Sequence, residues 1–329
     1  MGIENVKLRE VFEKQPVARD FFDSIGIEIK DENLTLTEYV ETIDEEKLED
    51  LGLSKDFILE NFKEFLNNLS DIESNELQKV KSITIIGGYN KLGEKEDIEI
   101  EIKAGEIISI VGPTGSGKSR LLADIEWMAQ GDTPTKRKIL LNGEVPEKDL
   151  RFSSEFKLVA QLSQNMNFVI DLGVREFLLL HAESRYIQNK EEVVEKVIEK
   201  ANELAGESFT GDTPLTSLSG GQSRALMIAD TAILSKSPII LIDEIENAGI
   251  DRKRALNLLV EEQKIVLMAT HDPILALMGD KRLVISHGGI VKIIETSKKE
   301  KQLLEQLEEL DRKLLSYRNK LRFGERLTD

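Results

Sequence analysis

The segment from residue 112 to 119 constrains the fold of this chain more than any other. It has the pattern G-x-x-x-x-G-K-S and consists of Gly112, Pro113, Thr114, Gly115, Ser116, Gly117, Lys118 and Ser119. An apolar run, 107–111, precedes it, and a helical pattern of apolar residues, 121–125, follows it. A strand, a glycine-rich turn and a helix in this order place backbone N–H groups around phosphate. The segment therefore predicts an α/β fold with a phosphate-binding loop after a strand.

Further segments carry groups suited to nucleotide chemistry. Residues Leu218, Ser219, Gly220, Gly221 and Gln222 open a helical pattern. The strand-like run 239–242 is followed by Asp243 and Glu244, and the run 265–269 is followed closely by His271. Asp243 can hold Mg²⁺, and Glu244 can accept a proton from an attacking water. His271 can contact a γ-phosphate, so these segments predict phosphate chemistry at the ends of strands.

The order and spacing of these motifs resemble the ATP-binding-cassette (ABC) family over roughly residues 82–294. The resemblance implies a P-loop NTPase of ABC type, with a mixed β core and a helical subdomain. It implies ATP and Mg²⁺ as cofactors, and hydrolysis of ATP to ADP and phosphate. The implied catalytic residues are Glu244, His271 and Lys118, and the implied Mg²⁺ residues are Ser119, Gln164 and Asp243.

The same resemblance implies that residues 218–222 act on a nucleotide held by a second chain. In that arrangement Ser219, Gly220 and Gly221 form an anion-binding helix N-terminus for the γ-phosphate of the opposite subunit. One such signature and one phosphate loop per chain imply a head-to-tail homodimer with two ATP molecules between the subunits.

Four positions match the family pattern less closely. Gln164 fits the glutamine loop best, with Gln161 as a weaker candidate. Tyr89 lies 23 residues before Gly112, where an adenine-stacking aromatic is expected, although it also suits a turn after two glycines. Asp251 fits a dimer-contacting aspartate, but its loop lacks the usual proline and is one residue longer. Arg120 stands where a second hydroxyl residue is common, which should alter packing beside the phosphates.

The chain divides by composition into four parts. Residues 1–70 predict a small all-α domain, 71–81 a linker, 82–296 the ABC domain with a helical subdomain at about 165–235, and 297–329 an amphipathic helix and tail. Apolar residues recur in the tail at alternating spacings of four and three: Leu303, Leu307, Leu310, Leu314, Tyr317 and Leu321. This heptad pattern suits packing on the chain's own domain or pairing with a second copy.

The first 70 residues carry 18 acidic and 8 basic side chains. They suit a solvated surface or an interaction module for a basic surface on a partner. The segment also resembles the small helical domain found beside iron–sulfur and nitric-oxide-stress proteins. That family has a cysteine pair where this chain has residues 28–30, so only an interaction role is expected.

Charge and composition limit the function further. A net charge of −17 argues against nucleic acid as the main partner. The absence of cysteine excludes disulfides and thiolate chemistry within the chain. No apolar run reaches the ~20 residues of a membrane span, and no apolar signal core follows Met1, so we expect a cytoplasmic protein.

Two roles for ATP hydrolysis remain open. Only 54 residues separate Gln164 from Leu218, which excludes the long coiled coils of chromosome-maintenance ATPases. The chain can be the nucleotide-binding subunit of a membrane transporter, acting on a separate permease. Alternatively, it is a soluble ATPase that rearranges a protein partner such as a metalloenzyme. The acidic module, the heptad tail and the altered Asp251 loop favour the soluble role. Asp243, Glu244 and His271 argue against a sensor that does not hydrolyse ATP.

Overall fold

The structure, a computed structural model, describes residues 6–14, 18–77, 80–152, 157–163, 167–185, 187, 189–243, 245 and 249–327. The chain forms two compact units, Met1–Lys79 and Val80–Asp329. None of the helices in the described ranges is long and apolar enough to cross a membrane.

The first unit is helical, as the sequence predicts. Its helices are α1 (Leu8–Lys14), α2 (Ala18–Ser24), α3 (Leu36–Glu41), α4 (Glu45–Leu51) and α5 (Lys55–Leu77). A capping box begins α3: the Thr35 hydroxyl accepts the Glu38 N–H, and the Glu38 carboxylate accepts the Thr35 N–H. Phe22 lies at the centre of the core, with its ring centroid 4.9 Å from that of Phe62 and 5.8 Å from that of Tyr39.

The segment predicted as a linker, 71–81, contains the boundary between the two units, after Lys79, and part of it is helical. Helix α5 continues to Leu77, so most of that segment is helical. Residues 71–77 are polar but contain neither glycine nor proline. Polar composition alone does not end a helix, because glutamate and leucine are good helix formers.

The second unit contains the strands β1 (Ser82–Ile86), β2 (Glu99–Lys103), β3 (Ile107–Val111), β4 (Lys138–Leu141), β5 (Val159–Leu162), β6 (Ile239–Asp243), β7 (Ile265–Ala269), β8 (Lys281–Ser286) and β9 (Gly289–Glu295). Within the described ranges, β2, β1 and β4 form a small antiparallel sheet. The large sheet has the order β5-β6-β7-β3-β8-β9, with β9 antiparallel to β8 and the other pairs parallel.

The helices of this unit are α6 (Lys118–Glu126), α7 (Lys148–Phe152), α8 (Val174–Glu183), α9 (Lys190–Leu204), α10 (Gly220–Ile233), α11 (Arg252–Glu261), α12 (Pro273–Met278) and α13 (Lys298–Arg322). Strand β6 is buried on both faces of the large sheet. Ile239 and Leu241 pack with α6 and the small sheet, whereas Ile240 and Ile242 pack with the helices of the opposite face. This double burial explains the uninterrupted apolar runs in the sequence. The predicted α/β core, N-terminal helices and C-terminal helix are confirmed.

Candidate functional site

Adjacent parallel strands of the large sheet end at the segments predicted to form the site. β3 runs into the phosphate loop (residues 112–119), β6 ends at Asp243, and β7 leads to His271. Parallel neighbours end at the same edge of a sheet, which is where ligands bind in α/β folds. The sheet thus brings these three sequence-predicted elements to one edge.

The glycines of the phosphate loop adopt backbone conformations that other residues rarely adopt. φ is +77° at Gly115 and +105° at Gly117, in the left-handed region that favours glycine. A Cβ on Gly117 would lie 2.6 Å from the Cα of Gly288, in the turn between β8 and β9. The Gly288 N–H donates to the Ser116 carbonyl oxygen at 2.6 Å. This turn therefore fixes the loop, while the buried Ser116 Oγ has no hydrogen-bond partner among the residues described.

Lys118 is buried, and its ammonium group lies against the phosphate loop. Nζ donates to the carbonyl oxygens of Gly112 at 2.9 Å and Pro113 at 3.3 Å. Nζ also lies 3.0 Å from Nε2 of His271. An ammonium group only donates, so Nε2 acts as the acceptor. The two side chains expected to contact the γ-phosphate thus adjoin each other.

Polar contacts fix the backbone on both sides of His271. The Thr270 N–H donates to the Ile110 carbonyl oxygen at 3.1 Å, which joins the end of β7 to β3. The Thr270 hydroxyl accepts the Asp272 N–H at 3.0 Å. Asp272 caps α12 and also accepts a hydrogen bond from Arg252 at 2.8 Å. His271 therefore lies between two anchored residues.

Ser119 and Asp243 offer oxygen ligands at this edge. Ser119 is exposed in the first turn of α6, and Asp243 is half-buried at the last position of β6. No group of three or more histidine, aspartate and glutamate side chains forms a metal cluster in the described ranges. Mg²⁺ in nucleotide sites uses one or two carboxylates together with substrate phosphates and water. The glycine cradle, the hydroxyl and the single carboxylate therefore fit a Mg²⁺-bound nucleotide.

Tyr89 lies in the loop between β1 and β2, with its ring exposed. Its N–H donates to the Thr135 carbonyl oxygen at 2.7 Å. A Cβ on Gly88 would lie 2.0 Å from that same oxygen, so glycine is required there for the loop to pack so closely. Nζ of Lys136 lies 6.0 Å from the ring centroid. An exposed aromatic ring on an anchored backbone suits stacking against a nucleotide base.

The sequence did not reveal a buried ion cluster formed by Glu96, Asp124 and Arg137. The Arg137 side chain is fully buried and donates to Glu96 and Asp124, with Nε–Oε2 and Nη1–Oδ2 distances of 2.8 Å. It also donates to the Gly288 carbonyl oxygen at 2.6 Å. Asp124 lies on α6, which follows the phosphate loop, and Gly288 lies in the turn that fixes that loop. The cluster therefore connects three segments around the site.

Glu96 and Arg137 stay charged despite their burial. Burial opposes ionisation of Glu96, but hydrogen bonds from Arg137 and from the N–H groups of Gly88 (3.0 Å) and Ile290 (2.7 Å) lower its pKa. Burial likewise opposes the charge of Arg137, but Glu96 and Asp124 outweigh it and raise its pKa. Glu96 thereby also anchors the backbone next to Tyr89.

The signature (residues 218–222) opens α10 in the helical part of the unit. Ser219 is the N-cap: its hydroxyl accepts the Gln222 N–H at 3.3 Å, and the Gln222 side chain accepts the Ser219 N–H at 2.9 Å. Ser219 and Gly220 are exposed, and no atom lies within 4 Å of a Cβ built on Gly220. The start of α10 thus presents backbone N–H groups and unobstructed space to a ligand from outside the chain.

Of the remaining predicted residues, two lie outside the described residues, one is exposed and one caps a helix. Gln164 and Glu244 lie outside the described residues. Arg120 is exposed in the first turn of α6. Asp251 is the N-cap of α11, where it accepts the Arg254 N–H at 3.1 Å, and its own N–H donates to the Leu204 carbonyl oxygen at 3.0 Å. Its predicted contact across a dimer remains a prediction.

Comparisons with known proteins agree with this geometry. The family model described as ABC transporter matches residues 95–247. An uncharacterized ABC transporter ATP-binding protein of Methanocaldococcus jannaschii is 57% identical over 251 residues, which cover 76% of this chain and 96% of that protein. Nod factor export ATP-binding protein I of Neorhizobium galegae is 29% identical over 218 residues, covering 64% of this chain and 59% of that protein.

A solved structure, the dimeric structure of a bacterial ABC transporter cassette, is also similar. It has a TM-score of 0.50 and 25% sequence identity, and covers 65% of this chain and 99% of that chain. The family model begins at residue 95, so the resemblance stated for residues 1–70 remains a prediction.

Proposed function

The chain belongs to the ABC transporter family of ATPase cassettes, and we propose that two copies of it hydrolyse ATP in two shared sites. The observation that carries this proposal is the common edge at which the phosphate loop, Asp243 and His271 meet. A neighbouring carboxylate, Glu244, follows Asp243 directly in the sequence.

Each chain supplies the groups that hold the phosphates. The loop N–H groups bind the β- and γ-phosphates, and Lys118 exchanges its carbonyl acceptors for phosphate oxygens. Ser119 and Asp243 would hold Mg²⁺, with Gln164 as a further residue; the ion neutralises charge on the phosphates when bound. Glu244 positions the attacking water and accepts its proton, while His271 contacts the γ-phosphate.

The second chain completes the site. Ser219, Gly220 and Gly221 at the exposed start of α10 bind the γ-phosphate held by the other chain. Leu218 and Gln222 flank these contacts, and Asp251 lies at the interface between the copies. Because the signature and the phosphate loop act on the same nucleotide from different chains, ATP binding closes the dimer and hydrolysis opens it.

We propose a membrane permease as the partner that this closure drives. Val169, Ile170 and Leu180 are exposed apolar residues, and Val169 is 90% exposed. Phe168 packs on Phe177 of α8, with ring centroids 5.2 Å apart, and this holds the segment beside that helix. Exposed apolar residues on neighbouring segments suit protein docking. The transporter names of the relatives also favour a permease, whereas no observation supports a metalloenzyme.

A phosphate-release assay with Mg²⁺ and ATP tests hydrolysis directly. Glu244→Gln should still bind ATP and form the closed dimer, but its turnover should fall about 100-fold or more, as expected for loss of a general base. Glu261→Gln, an exposed charge change on α11, is the matched control and should keep wild-type turnover. Full turnover in Glu244→Gln would refute the role assigned to that carboxylate.

Affinity purification from native membranes tests the partner. Recovery of integral membrane subunits supports the permease, and Val169→Asp should abolish that recovery without changing ATP turnover. Val145→Asp, at another exposed valine, is the control that should retain the partner. Recovery of a soluble enzyme alone would contradict the proposed partner.

A further inference from the structure

Helix α13 forms ion pairs with its own unit and leaves most of its apolar residues exposed. Its first half forms ion pairs with the unit: Asp311 with Arg252 at 2.8 Å, and Glu308 with Lys253 at 2.9 Å. The heptad residues define an apolar stripe along another side of the helix. The exposed members of the stripe are Leu303, Leu310, Leu314, Tyr317 and Leu321, and Leu307 is half-buried.

The second half of α13 is largely uncovered by the described part of the chain. Every described side chain from residue 312 to 327 is exposed. In proteins, most helical stability comes from tertiary packing of an apolar face. An exposed stripe of leucines on this segment therefore calls for a partner surface.

After a start that contains three lysines and one glutamate, 298–301, successive segments of α13 carry opposite charge. Residues 305–311 contain four acidic and no basic side chains, and residues 312–322 contain five basic and no acidic ones. Two parallel copies would place acidic beside acidic and basic beside basic. Two antiparallel copies place the acidic segment of each, 305–311, along the basic segment of the other, which stabilises the pair.

The stripe also matches itself in the antiparallel direction. With the two-fold axis beside residue 312, Leu303 faces Leu321 of the second copy, Leu307 faces Tyr317, and Leu310 faces Leu314. This register pairs all stripe positions, from 303 to 321, with no stripe residue left over. A surface that is complementary to itself is the requirement for a symmetric dimer.

We propose that α13 pairs antiparallel with α13 of a second copy and holds two chains together in the absence of nucleotide. The exposed second half of each helix then lies along the first half of its partner. The link keeps two cassettes together whether or not the shared ATP sites are closed. It is independent of the ATP-driven contact proposed above, since the stripe lies outside the nucleotide site.

Measuring molar mass by light scattering in nucleotide-free buffer tests this interface. The full chain should have about twice its 37.1 kDa mass, and Leu310→Ser/Leu314→Ser should reduce it to the single-chain value. Leu315→Ser is the matched control: Leu315 is 51% exposed, close to the 54% of Leu314, but lies off the stripe. A single-chain mass for the wild type, or a dimer that survives the double substitution, would overturn the proposal.

Cysteine cross-linking tests the orientation, and the chain has no native cysteine to interfere. Leu303→Cys and Leu321→Cys chains, co-expressed and oxidised, should form a covalent dimer with each other. Each variant alone should remain uncross-linked. Cross-linking of either variant with itself would indicate parallel pairing, and no cross-link in the mixture would exclude the antiparallel register; both results overturn the proposal.

Discussion

Replacing Glu96 with glutamine should destabilise the second unit by about 3–5 kcal/mol, the usual cost of breaking a buried ion pair. Each Glu96 carboxylate oxygen accepts two donors: Oε2 accepts from Arg137 Nε and the Gly88 N–H, and Oε1 accepts from Arg137 Nη2 and the Ile290 N–H. A glutamine NH₂ group therefore faces two donors in either orientation. The substitution removes the charge opposite a fully buried guanidinium and two hydrogen bonds at once.

The loss of stability can be measured through the fluorescence of the chain's single tryptophan. Trp127 is the C-cap of α6 in the second unit, three residues after Asp124. Urea unfolding followed by tryptophan fluorescence therefore measures the stability of this unit. Glu99→Gln, at an exposed position of β2, is the control and should change stability by less than about 0.5 kcal/mol.

The pH dependence gives an independent check. The pKa of Glu96 is lowered in the folded chain, so its charge contributes stability at neutral pH. That contribution should diminish as the pH falls below the ordinary glutamate value of 4.5 towards the lowered native pKa. The difference in free energy of unfolding between wild type and Glu96→Gln should therefore become smaller as the pH falls. If Glu96→Gln lowered the free energy of unfolding by less than about 1 kcal/mol at neutral pH, the role assigned to this ion cluster would be refuted.

Three further substitutions test separate parts of the account. Tyr89→Ala should raise the KM for ATP about 10-fold in a steady-state phosphate-release assay, because one stacking contact is lost. Tyr89→Phe keeps the ring and should keep the wild-type KM. Equal KM values for Tyr89→Ala and the wild type would exclude stacking. Gly117→Ala should abolish ATP binding measured by calorimetry, because its Cβ would lie 2.6 Å from the Gly288 Cα; wild-type affinity would contradict the close approach. Burial lowers the pKa of Lys264 from 10.5 to about 8. Between these two pH values the unfolded chain keeps the proton and the folded chain does not, so the free energy of unfolding should increase as the pH rises through this range. Lys264→Met should lose that gain, measured as Tm against pH; an unchanged slope would contradict the shift.

The sequence alone was sufficient to predict the elements that depend on patterns among neighbouring residues. The phosphate loop, the strand before it and the carboxylate at the end of β6 could be predicted because glycine spacing and apolar runs are local signals. The fold also explains why Asp243 and His271, 28 residues apart, reach the same edge: Asp243 ends one parallel strand, and His271 follows the neighbouring one.

The ion cluster could not be predicted from the sequence. Glu96 and Arg137 lie within charged runs, 94–97 and 136–138, that resemble ordinary solvated surface. Only the tertiary fold brings them to Asp124 and away from water. Likewise, the heptad spacing predicted the α13 helix but not the surface on which it packs. The ion pairs that bind its first half come from α11 and β8, which are distant in the sequence.

A heterodimer with one damaged chain of each kind tests the shared ATP site most directly. Lys118→Ala removes the phosphate contact of one chain, and Ser219→Arg blocks the signature of the other, so each variant alone should lack turnover at both sites. In the co-purified heterodimer, one site joins the intact phosphate loop of the Ser219→Arg chain to the intact signature of the Lys118→Ala chain. Phosphate release should return in that heterodimer, and Ser217→Arg, at an exposed position just before the signature, should leave turnover unchanged. Wild-type turnover by the Ser219→Arg homodimer would contradict a site shared between two chains.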